Sequence, residues 1–265
     1  MSNLILKHNS GFFSCCSVAV YDIITHIKTQ KSIPDVDFSQ IFGLYKGSGQ
    51  GCKPDQDAYK HFFKFDCSQS INIEEISNCN YEKMPHLDYR LSPLEPTKPI
   101  IKRWFTPSDT VQSMVGDFCD QYNIDPQKTI GIFFRGTDKY SEVAETPYDI
   151  FTSQVHNLLD THKDVNRVFL QTDQQQFIDY FQEEYPDIDS FYIKEHPTTT
   201  TKRGLHLGII KKNKILYTQI YFAALLILSK CKVLINHTGN GARWAIEYRG
   251  NTDNAIQYRA GDQLR

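Results

Sequence analysis

Apolar positions in the second half of the chain alternate between two spacings. Apolar residues three and four positions apart predict helices over 109–122, 147–159, 174–185, 218–228 and 241–248. Short runs of β-branched and aromatic residues predict strands over 129–134, 167–171, 190–193 and 232–236. Strands that alternate with helices of this length predict an α/β fold built on a parallel sheet.

The first half of the chain begins with a similar strand, loop and helix. An apolar run over 3–8 predicts a strand, the loop Asn9-Ser10-Gly11 follows it, and helical spacing continues over 12–28. Four prolines over 84–99 predict an irregular linker, and the scarcity of apolar residues over 251–265 predicts a loosely held tail. We therefore expect two Rossmann-like halves, 1–103 and 104–265.

Composition narrows the class of protein. The net charge of −2 argues against a nucleic-acid scaffold and against a polybasic membrane binder. The longest apolar stretch, 220–228, is too short to span a bilayer, and the first residues lack the pattern of a signal peptide. Seven cysteines without a Cys-x-x-Cys pair are typical of reduced thiols. We expect a cytoplasmic protein with no membrane span and no nucleic-acid partner.

Three of the predicted strands end in polar, flexible segments. Arg135-Gly136-Thr137-Asp138-Lys139 follows the first of them, Thr172-Asp173 follows the second, and His237-Thr238-Gly239-Asn240-Gly241 follows the third. The carboxyl ends of parallel strands meet at one rim of the sheet, and open α/β sheets bind their ligands there. We therefore expect the three segments to line one site.

The residue types in these segments suit a nucleoside diphosphate. The guanidinium of Arg135 stays charged and can fork onto two phosphate oxygens, although a plain surface Arg–Asp pair is an alternative. The helix that follows Gly239 offers backbone N–H groups to an anion. Asp173 is a candidate contact to ribose hydroxyls or, alternatively, the N-cap of the next helix, and His237 is a candidate contact to base or ribose. Because Gly-x-Gly-x-x-Gly is absent, we expect no dinucleotide cofactor.

Taken together, the motifs resemble the donor half of the α1,6-fucosyltransferases, which include the eukaryotic N-glycan core enzyme and the rhizobial chitooligosaccharide enzyme. The matching segments are Phe-Phe-Arg-Gly-Thr-Asp-Lys (133–139), Val-Phe-Leu-Gln-Thr-Asp (168–173) and 228–247. The resemblance covers roughly residues 128–250. It implies two facing Rossmann-like halves with parallel sheets (the GT-B arrangement) and an inverting, metal-independent glycosyltransferase without a cofactor.

The resemblance also implies roles for single residues. Arg135 matches the arginine that binds the β-phosphate of the donor, and Asp138 and Lys139 match the Asp-Lys pair after it. Glu142 lies near the position of the catalytic glutamate and is preferred over Glu145 as the base.

On the same resemblance, the segment that cradles the diphosphate falls on Thr238, Gly239 and Asn240. The implied substrates are a nucleotide-sugar donor, with GDP-fucose first, and a glycan acceptor. The loop formed by Asn9, Ser10 and Gly11 is the candidate for the acceptor side.

Three alternatives remain at this point. Phe133 and Ala224 stand where the family has a His and an Asp that contact guanine, so a UDP-sugar such as UDP-xylose is an alternative donor. Gly136 replaces a second arginine of the family. Asp35-Val36-Asp37 and Asp187-Ile188-Asp189 match the Asp-x-Asp of metal-dependent glycosyltransferases, although both segments follow a proline and suit turns and caps. A non-catalytic module that binds a nucleotide or a glycan is the third alternative.

Overall fold

The computed structural model describes residues 3–47, 49–83, 88–137, 147–201, 204–205 and 212–258. Up to residue 107, the described part of the chain contains three α-helices and two short pairs of strands. In chain order, its elements are β1 (Asn3–Ile5), α1 (Phe12–Gln30), β2 (Asp35–Asp37), β3 (Phe63–Lys64), α2 (Ile73–Asn78), α3 (Leu94–Trp104) and β4 (Thr106–Pro107). Strands β1 and β2 pair in parallel, and β3 and β4 pair antiparallel.

The second half alternates strands and helices, as its apolar spacing predicts. Its elements are α4 (Asp109–Gln121), β5 (Thr129–Phe134), α5 (Tyr148–Thr152), α6 (Val155–Thr161), β6 (Arg167–Thr172), α7 (Gln175–Glu184), β7 (Ser190–Phe191), α8 (Lys214–Lys230), β8 (Val233–His237), α9 (Asn240–Arg249) and β9 (Ala255–Tyr258). Five of these strands form one sheet in the order β7-β6-β5-β8-β9, and every pair in it is parallel. The predicted α/β fold with a parallel sheet is confirmed.

The strand order reverses between β5 and β8. The chain runs from β5 outward through β6 and β7, and then returns through α8 to place β8 on the other side of β5. Such a reversal leaves a crevice at the carboxyl ends of the two strands, and doubly wound sheets bind their ligands there. Arg135 directly follows β5, and His237 ends β8, so two of the predicted site residues flank this crevice.

Helices cover both faces of the sheet because successive strand residues point to opposite sides. Ile130, Ile132 and Phe134 of β5 pack into the apolar core shared with α5, α6 and α7. Phe133 packs into the other core, which contains α1, α8 and α9. Gly131 lies on this second face, and a Cβ atom there would stand 2.7 Å from Leu228 of α8, so glycine allows the helix to approach the sheet closely.

The long apolar stretch at 220–228 belongs to α8, which is buried in the core of the protein. The helix packs between the sheet and the helices α4 and α9, and its residues from Phe222 to Ser229 are all buried. Among the described residues, no helix has the length and apolarity needed to cross a membrane.

The first half packs directly onto the helices of the second half. Phe13 of α1 stacks on Trp244 of α9 with ring centroids 5.8 Å apart, and Phe12 contacts Phe222 of α8 at 5.7 Å. Trp244 is fully buried, and Tyr248 is partly buried against the same core. One apolar core therefore extends across both halves, and the division near residue 103 stays a prediction.

The prediction of an irregular linker over 84–99 is wrong from residue 94 onward, where α3 begins. The prolines obscure an amphipathic helix whose buried positions, Thr97, Ile100, Ile101 and Trp104, follow helical spacing. Pro96 lies in the first turn, where a backbone N–H has no acceptor within the helix, and only Pro99 removes a helical hydrogen bond.

The C-terminal tail is also more ordered than its composition predicts. Residues 255–258 form the edge strand β9, which pairs in parallel with β8 and buries Tyr258. The other three residues of β9 are only partly buried, so few apolar residues are enough to form this edge strand. Residues 259–265 lie outside the described part.

Two local predictions also require correction. The helix predicted over 147–159 is two helices, α5 and α6, separated at Ser153 and Gln154. Asp35-Val36-Asp37 does not only lead into a strand but forms β2 itself, because Val36 pairs with Leu4 of β1. The turn chemistry predicted for this segment is confirmed at Asp37, whose Oδ1 accepts a hydrogen bond from the backbone N–H of Ser39 at 2.7 Å.

Candidate functional site

A cavity of about 380 Å³ opens at the crevice between β5 and β8. The structure brings many of the predicted residues together around it, and both halves of the chain contribute. The predicted residues that line the cavity are Ser10, Gly11, Arg135, Asp173, His237, Thr238, Gly239, Asn240 and Gly241. The loop after β1 therefore faces the ends of β5, β6 and β8, as a site between two halves requires.

The remaining predicted residues do not line this cavity in the described part of the chain. The side chain of Asn9 packs against Gly43, where an added Cβ atom would stand 3.0 Å from Asn9 Oδ1. Thr137 is fully buried beneath the cavity wall. Asp138, Lys139 and Glu142 lie outside the described residues.

Asp173 organises the loop that carries Arg135. Its carboxylate accepts hydrogen bonds from Arg135 Nε at 3.0 Å, from the backbone N–H of Gly136 at 3.2 Å and from Thr137 Oγ1 at 2.5 Å. The N-cap of α7 is Gln174, so the alternative that Asp173 caps this helix is wrong. The Asp173 carboxylate instead orients the guanidinium of Arg135 by binding its Nε–H. The Arg135 side chain remains 28% exposed, at the cavity.

His237 connects the ends of β5 and β8. Its Nε2 lies 3.0 Å from the carbonyl oxygen of Arg135, and its Nδ1 lies 3.2 Å from the carbonyl oxygen of Thr238. The ring is buried and packs edge-on against Phe134 and Phe151. His237 therefore holds the backbone of Arg135 in place, in addition to lining the cavity.

The N-terminus of α9 faces the cavity as the sequence predicts. Gly239 is its N-cap, and no side chain among the described residues caps the first turn. A helix N-terminus of this kind attracts anions through its N–H groups and its dipole. Asn240 is held from the first half of the chain, because its Oδ1 accepts a hydrogen bond from Ser17 Oγ at 2.8 Å.

Two glycines at the rim permit close approaches. A Cβ atom at Gly241 would overlap the Tyr221 hydroxyl and stand 2.9 Å from the Phe133 ring. At Gly136, which stands in place of an arginine of the resembled family, a Cβ atom would overlap the Gln174 side chain. A larger residue at position 136 would therefore require Gln174 to move.

The two positions that differ from the resembled family at its guanine contacts are both buried. Phe133 is 2% exposed and lines the cavity, whereas Ala224 is fully buried in the core beneath it. Neither side chain can form a hydrogen bond to a base. Any recognition of a base in this cavity must therefore use other residues.

Several residues of the cavity wall were not predicted from the sequence, including four with polar side chains. These four are Gln171 on β6, His196 after β7, and Tyr217 and Tyr221 on α8. A glutamine inside the apolar run of β6 is a signal that could have been used. The other three carry no local signal, because their proximity depends on how α8 packs against the sheet.

His196 is buried, and its imidazole packs against Tyr217 and Tyr221 with ring centroids 5.3 and 5.6 Å away. Burial is the main cause that lowers its pKa, to about 4. Arg135 lowers it further, whereas Asp173 and a hydrogen bond to the backbone of Thr172 oppose the shift. The ring is therefore neutral at pH 7.

Metal ligands and disulfides do not contribute to the site within the described residues. No group of three or more His, Cys, Asp or Glu side chains in this part of the chain could hold a metal ion. Neither Asp-x-Asp segment contributes a residue to the cavity, and Asp189 instead pairs with Arg167 at 2.6 Å. All seven cysteines are free in this structure.

Comparison with solved structures identifies relatives of this fold. The NodZ α1,6-fucosyltransferase soaked with GDP-fucose aligns over 93% of this chain and 92% of its own, with a TM-score of 0.53 and 14% identity. The NodZ fucosyltransferase from Bradyrhizobium aligns over 92% and 91%, with a TM-score of 0.52 and 12% identity. This chain adopts the same fold as the NodZ fucosyltransferases. No protein-family model matches the chain, and no curated protein sequence matches it significantly.

The fold comparison confirms the resemblance that the three motifs indicate. The alignment extends over more than nine tenths of each chain, beyond the segment 128–250 from which the resemblance was inferred. The first half of the chain therefore shares in the likeness, although its own described sheet has only two parallel strands.

Proposed function

We propose that the protein is a glycosyltransferase that moves a sugar from a nucleoside-diphosphate donor to a hydroxyl of a glycan. The observation that carries this proposal is the position of Arg135 beside the uncapped N-terminus of α9, in a cavity at the point where the strand order reverses. Both features favour an anion, and a diphosphate is the anion that such a crevice commonly holds.

In this proposal the charged groups stabilise the leaving group. As the bond between the sugar and the diphosphate breaks, negative charge develops on the β-phosphate oxygens. Arg135, held by Asp173, and the first N–H groups of α9 are already oriented toward that charge, so they need no rearrangement during the reaction. Lys139 is proposed to add a second cation, on the strength of the Asp-Lys match in the sequence.

The attacking hydroxyl also needs a base. We propose Glu142 for this role, with attack on the side of the anomeric carbon opposite the diphosphate and therefore with inversion. Among the described residues that line the cavity, Asp173 is the only carboxylate, and it is engaged by three donors. This engagement makes Asp173 a poor base, and Glu142 is proposed instead because of its position in the sequence resemblance.

The donor is proposed by analogy with the structural relative. GDP-fucose is the first candidate, because the NodZ structure was soaked with it, and a UDP-sugar such as UDP-xylose is the alternative that Phe133 and Ala224 allow. The acceptor is proposed to lie beside Ser10 and Gly11, which line the cavity from the first half. Metal independence and a cytoplasmic location stay predictions.

The test combines binding with turnover. The purified protein is screened by thermal shift against GDP, UDP, GDP-fucose and UDP-xylose, with and without EDTA, and transfer to a chitooligosaccharide acceptor is then measured. A ligand at 100 times its Kd stabilises a protein by about 2.7 kcal/mol, which gives a clear shift. Binding that survives EDTA, together with transfer of the sugar, is the expected result. Binding without transfer or hydrolysis would favour the non-catalytic module, and no binding of any nucleotide would contradict the proposal.

A further inference from the structure

Two buried polar side chains of the cavity wall have an atom without a hydrogen-bond partner. Gln171 is 2% exposed and His196 is 4% exposed, and both line the cavity. Within the described part of the chain, neither Gln171 Nε2 nor His196 Nε2 has a partner. Burial of a polar group without a partner is unfavourable, so both atoms favour a ligand that supplies one.

The two atoms offer complementary chemistry. His196 hydrogen-bonds the backbone of Thr172, and because its Nε2 has no partner, Nδ1–H is the group that donates there. The neutral ring then carries its lone pair on Nε2, which is an acceptor. The amide of Gln171 offers N–H donors. This wall therefore presents one donor and one acceptor, neither of them charged.

The surroundings of these two groups are aromatic. Tyr217 and Tyr221 pack beside His196, and Tyr221 packs beside Phe133 with ring centroids 6.3 Å apart. Gln171 lies next to Phe133 in the register of β5 and β6. An aromatic wall with an uncharged donor and acceptor suits a planar heterocycle, since aromatic side chains bind the faces of bases and amides bind their edges.

The same cavity also has a cationic part. Arg135 and the N-terminus of α9 provide the positive potential there, and these groups suit the diphosphate. A nucleoside diphosphate has one charged end and one uncharged planar end. The cavity contains a matching wall for each end.

We propose that Gln171 and His196 are the residues that bind the nucleobase of the donor, through hydrogen bonds to the edge of the base, with Tyr217 and Tyr221 against it. The inference rests on the proposed function, because it assumes a nucleoside-diphosphate donor. It assigns the recognition of the base to residues other than positions 133 and 224.

The experiment separates the base from the diphosphate. Isothermal titration with GDP, UDP, ADP and CDP first identifies the nucleotide that the wild-type protein binds most tightly. That nucleotide and inorganic pyrophosphate, which has no base, are then titrated into Gln171→Met and His196→Phe. Circular dichroism and thermal unfolding establish that each variant is folded.

Asn236→Leu is the matched control. Asn236 is a fully buried amide whose two side-chain polar atoms have no partner among the described residues, and it does not line the cavity. It lies next to Phe133 in the register of β5 and β8, just as Gln171 does in the register of β5 and β6. The two substitutions therefore disturb packing on the same face of the sheet.

We expect Gln171→Met and His196→Phe to weaken nucleotide binding by 10-fold or more and to leave pyrophosphate binding unchanged. We expect Asn236→Leu to change neither. Wild-type nucleotide affinity in both cavity variants would overturn the inference and leave the proposed function standing. Equal loss for nucleotide and pyrophosphate, or the same loss in Asn236→Leu, would assign the effect to packing and also overturn the inference. If the wild-type protein bound none of the nucleotides, the proposed function itself would fail.

Discussion

The hydroxyl of Tyr89 bonds both backbone groups of Gly239. It accepts a hydrogen bond from the N–H of Gly239 at 2.9 Å and donates one to the carbonyl oxygen of Gly239 at 3.0 Å. Tyr89 is itself held, because its backbone N–H donates to the side chain of Gln257 at 2.8 Å. Gly239 has φ 156° and ψ 162°, a combination that is largely restricted to glycine. Tyr89 thus fixes the N-terminus of α9 at the cavity.

The first prediction follows from this contact. Tyr89→Phe removes the hydroxyl, so the partly buried N–H and carbonyl of Gly239 lose this hydrogen-bond partner. We therefore expect the unfolding free energy to fall by about 1–3 kcal/mol and the donor to bind more weakly. Urea unfolding and donor titration measure the two effects. Tyr248→Phe is the control: it removes a hydroxyl that donates to Phe105 O at 2.7 Å, and its residue does not line the cavity. Equal donor affinity in the two variants would contradict the role of Tyr89.

Arg135→Ala tests the proposed site of charge stabilisation. We expect transfer to fall about 100-fold, equivalent to about 3 kcal/mol, because one donor to the developing charge is lost. The fold should persist, since Asp173 keeps its bonds from Gly136 and Thr137. Steady-state rates and circular dichroism check both points.

Arg167→Ala is the control for this substitution. Arg167 also pairs with an aspartate, Asp189, but it lies at the start of β6, at the opposite end of the sheet. We expect its transfer rate to equal that of the wild type. If Arg135→Ala retained turnover, the assignment of the site would be wrong.

Two glycines, one at the cavity and one outside it, provide a matched steric test. Gly241→Ala would drive a methyl group against Tyr221 and the Phe133 ring, so we expect a narrower cavity and donor binding weakened by 10-fold or more. Gly116→Ala, at an exposed position of α4 outside the cavity, meets no atom within 4 Å, and we expect its donor affinity to remain unchanged. Titration of the donor into both variants gives the comparison. A normal affinity in Gly241→Ala would show that the donor does not bind against α9.

His196 makes stability depend on pH in a defined direction. Its pKa is about 4 in the folded protein and 6.5 in the unfolded chain, so the unfolded state binds the proton first as the pH falls. The stability contribution is full above pH 6.5 and is lost as the pH falls toward 4. At about 1.4 kcal/mol per pH unit, the loss approaches about 3 kcal/mol. In urea unfolding between pH 4 and pH 7, the unfolding free energy of His196→Phe should therefore fall less with decreasing pH than that of the wild type. If both proteins lost the same free energy over this range, His196 would not be the source of the pH dependence.

Glu247 makes the free energy of unfolding change with pH in the opposite direction. Burial raises its pKa from 4.5 to about 7, although Arg243 and the hydrogen bond from Thr97 lower it. The folded state therefore keeps the Glu247 proton to higher pH than the unfolded chain does. The resulting contribution to the unfolding free energy is complete below pH 4.5. It is lost as the pH rises through 7, and the loss is about 3 kcal/mol at most. Glu247→Gln should remove this component. Unfolding of both single variants from pH 4 to pH 8 separates the two slopes, and a Glu247→Gln profile identical to the wild type would exclude the carboxyl as its source.

Local patterns were sufficient for most of the parallel sheet. The strands β5, β6 and β8 each place apolar residues on both faces, which is the pattern of a strand buried between two layers of helices. Their polar ends then follow from the common direction of parallel strands. The patterns failed at α3, where prolines concealed a helix, and at β9, where only Tyr258 is buried and the other three residues are partly buried.

By itself, the sequence determined the α/β alternation and the rim residues Arg135, Asp173 and His237 to Gly241, because each is encoded within a strand and the loop that follows it. The tertiary structure alone decided which distant groups complete the site. Tyr89 meets Gly239 across 150 positions, and Ser17 meets Asn240 across 223. It likewise decided that Gln171 and His196 are buried without partners. Such contacts depend on how helices pack on the sheet, and periodicity specifies only the face that a helix buries, not the residue it meets there.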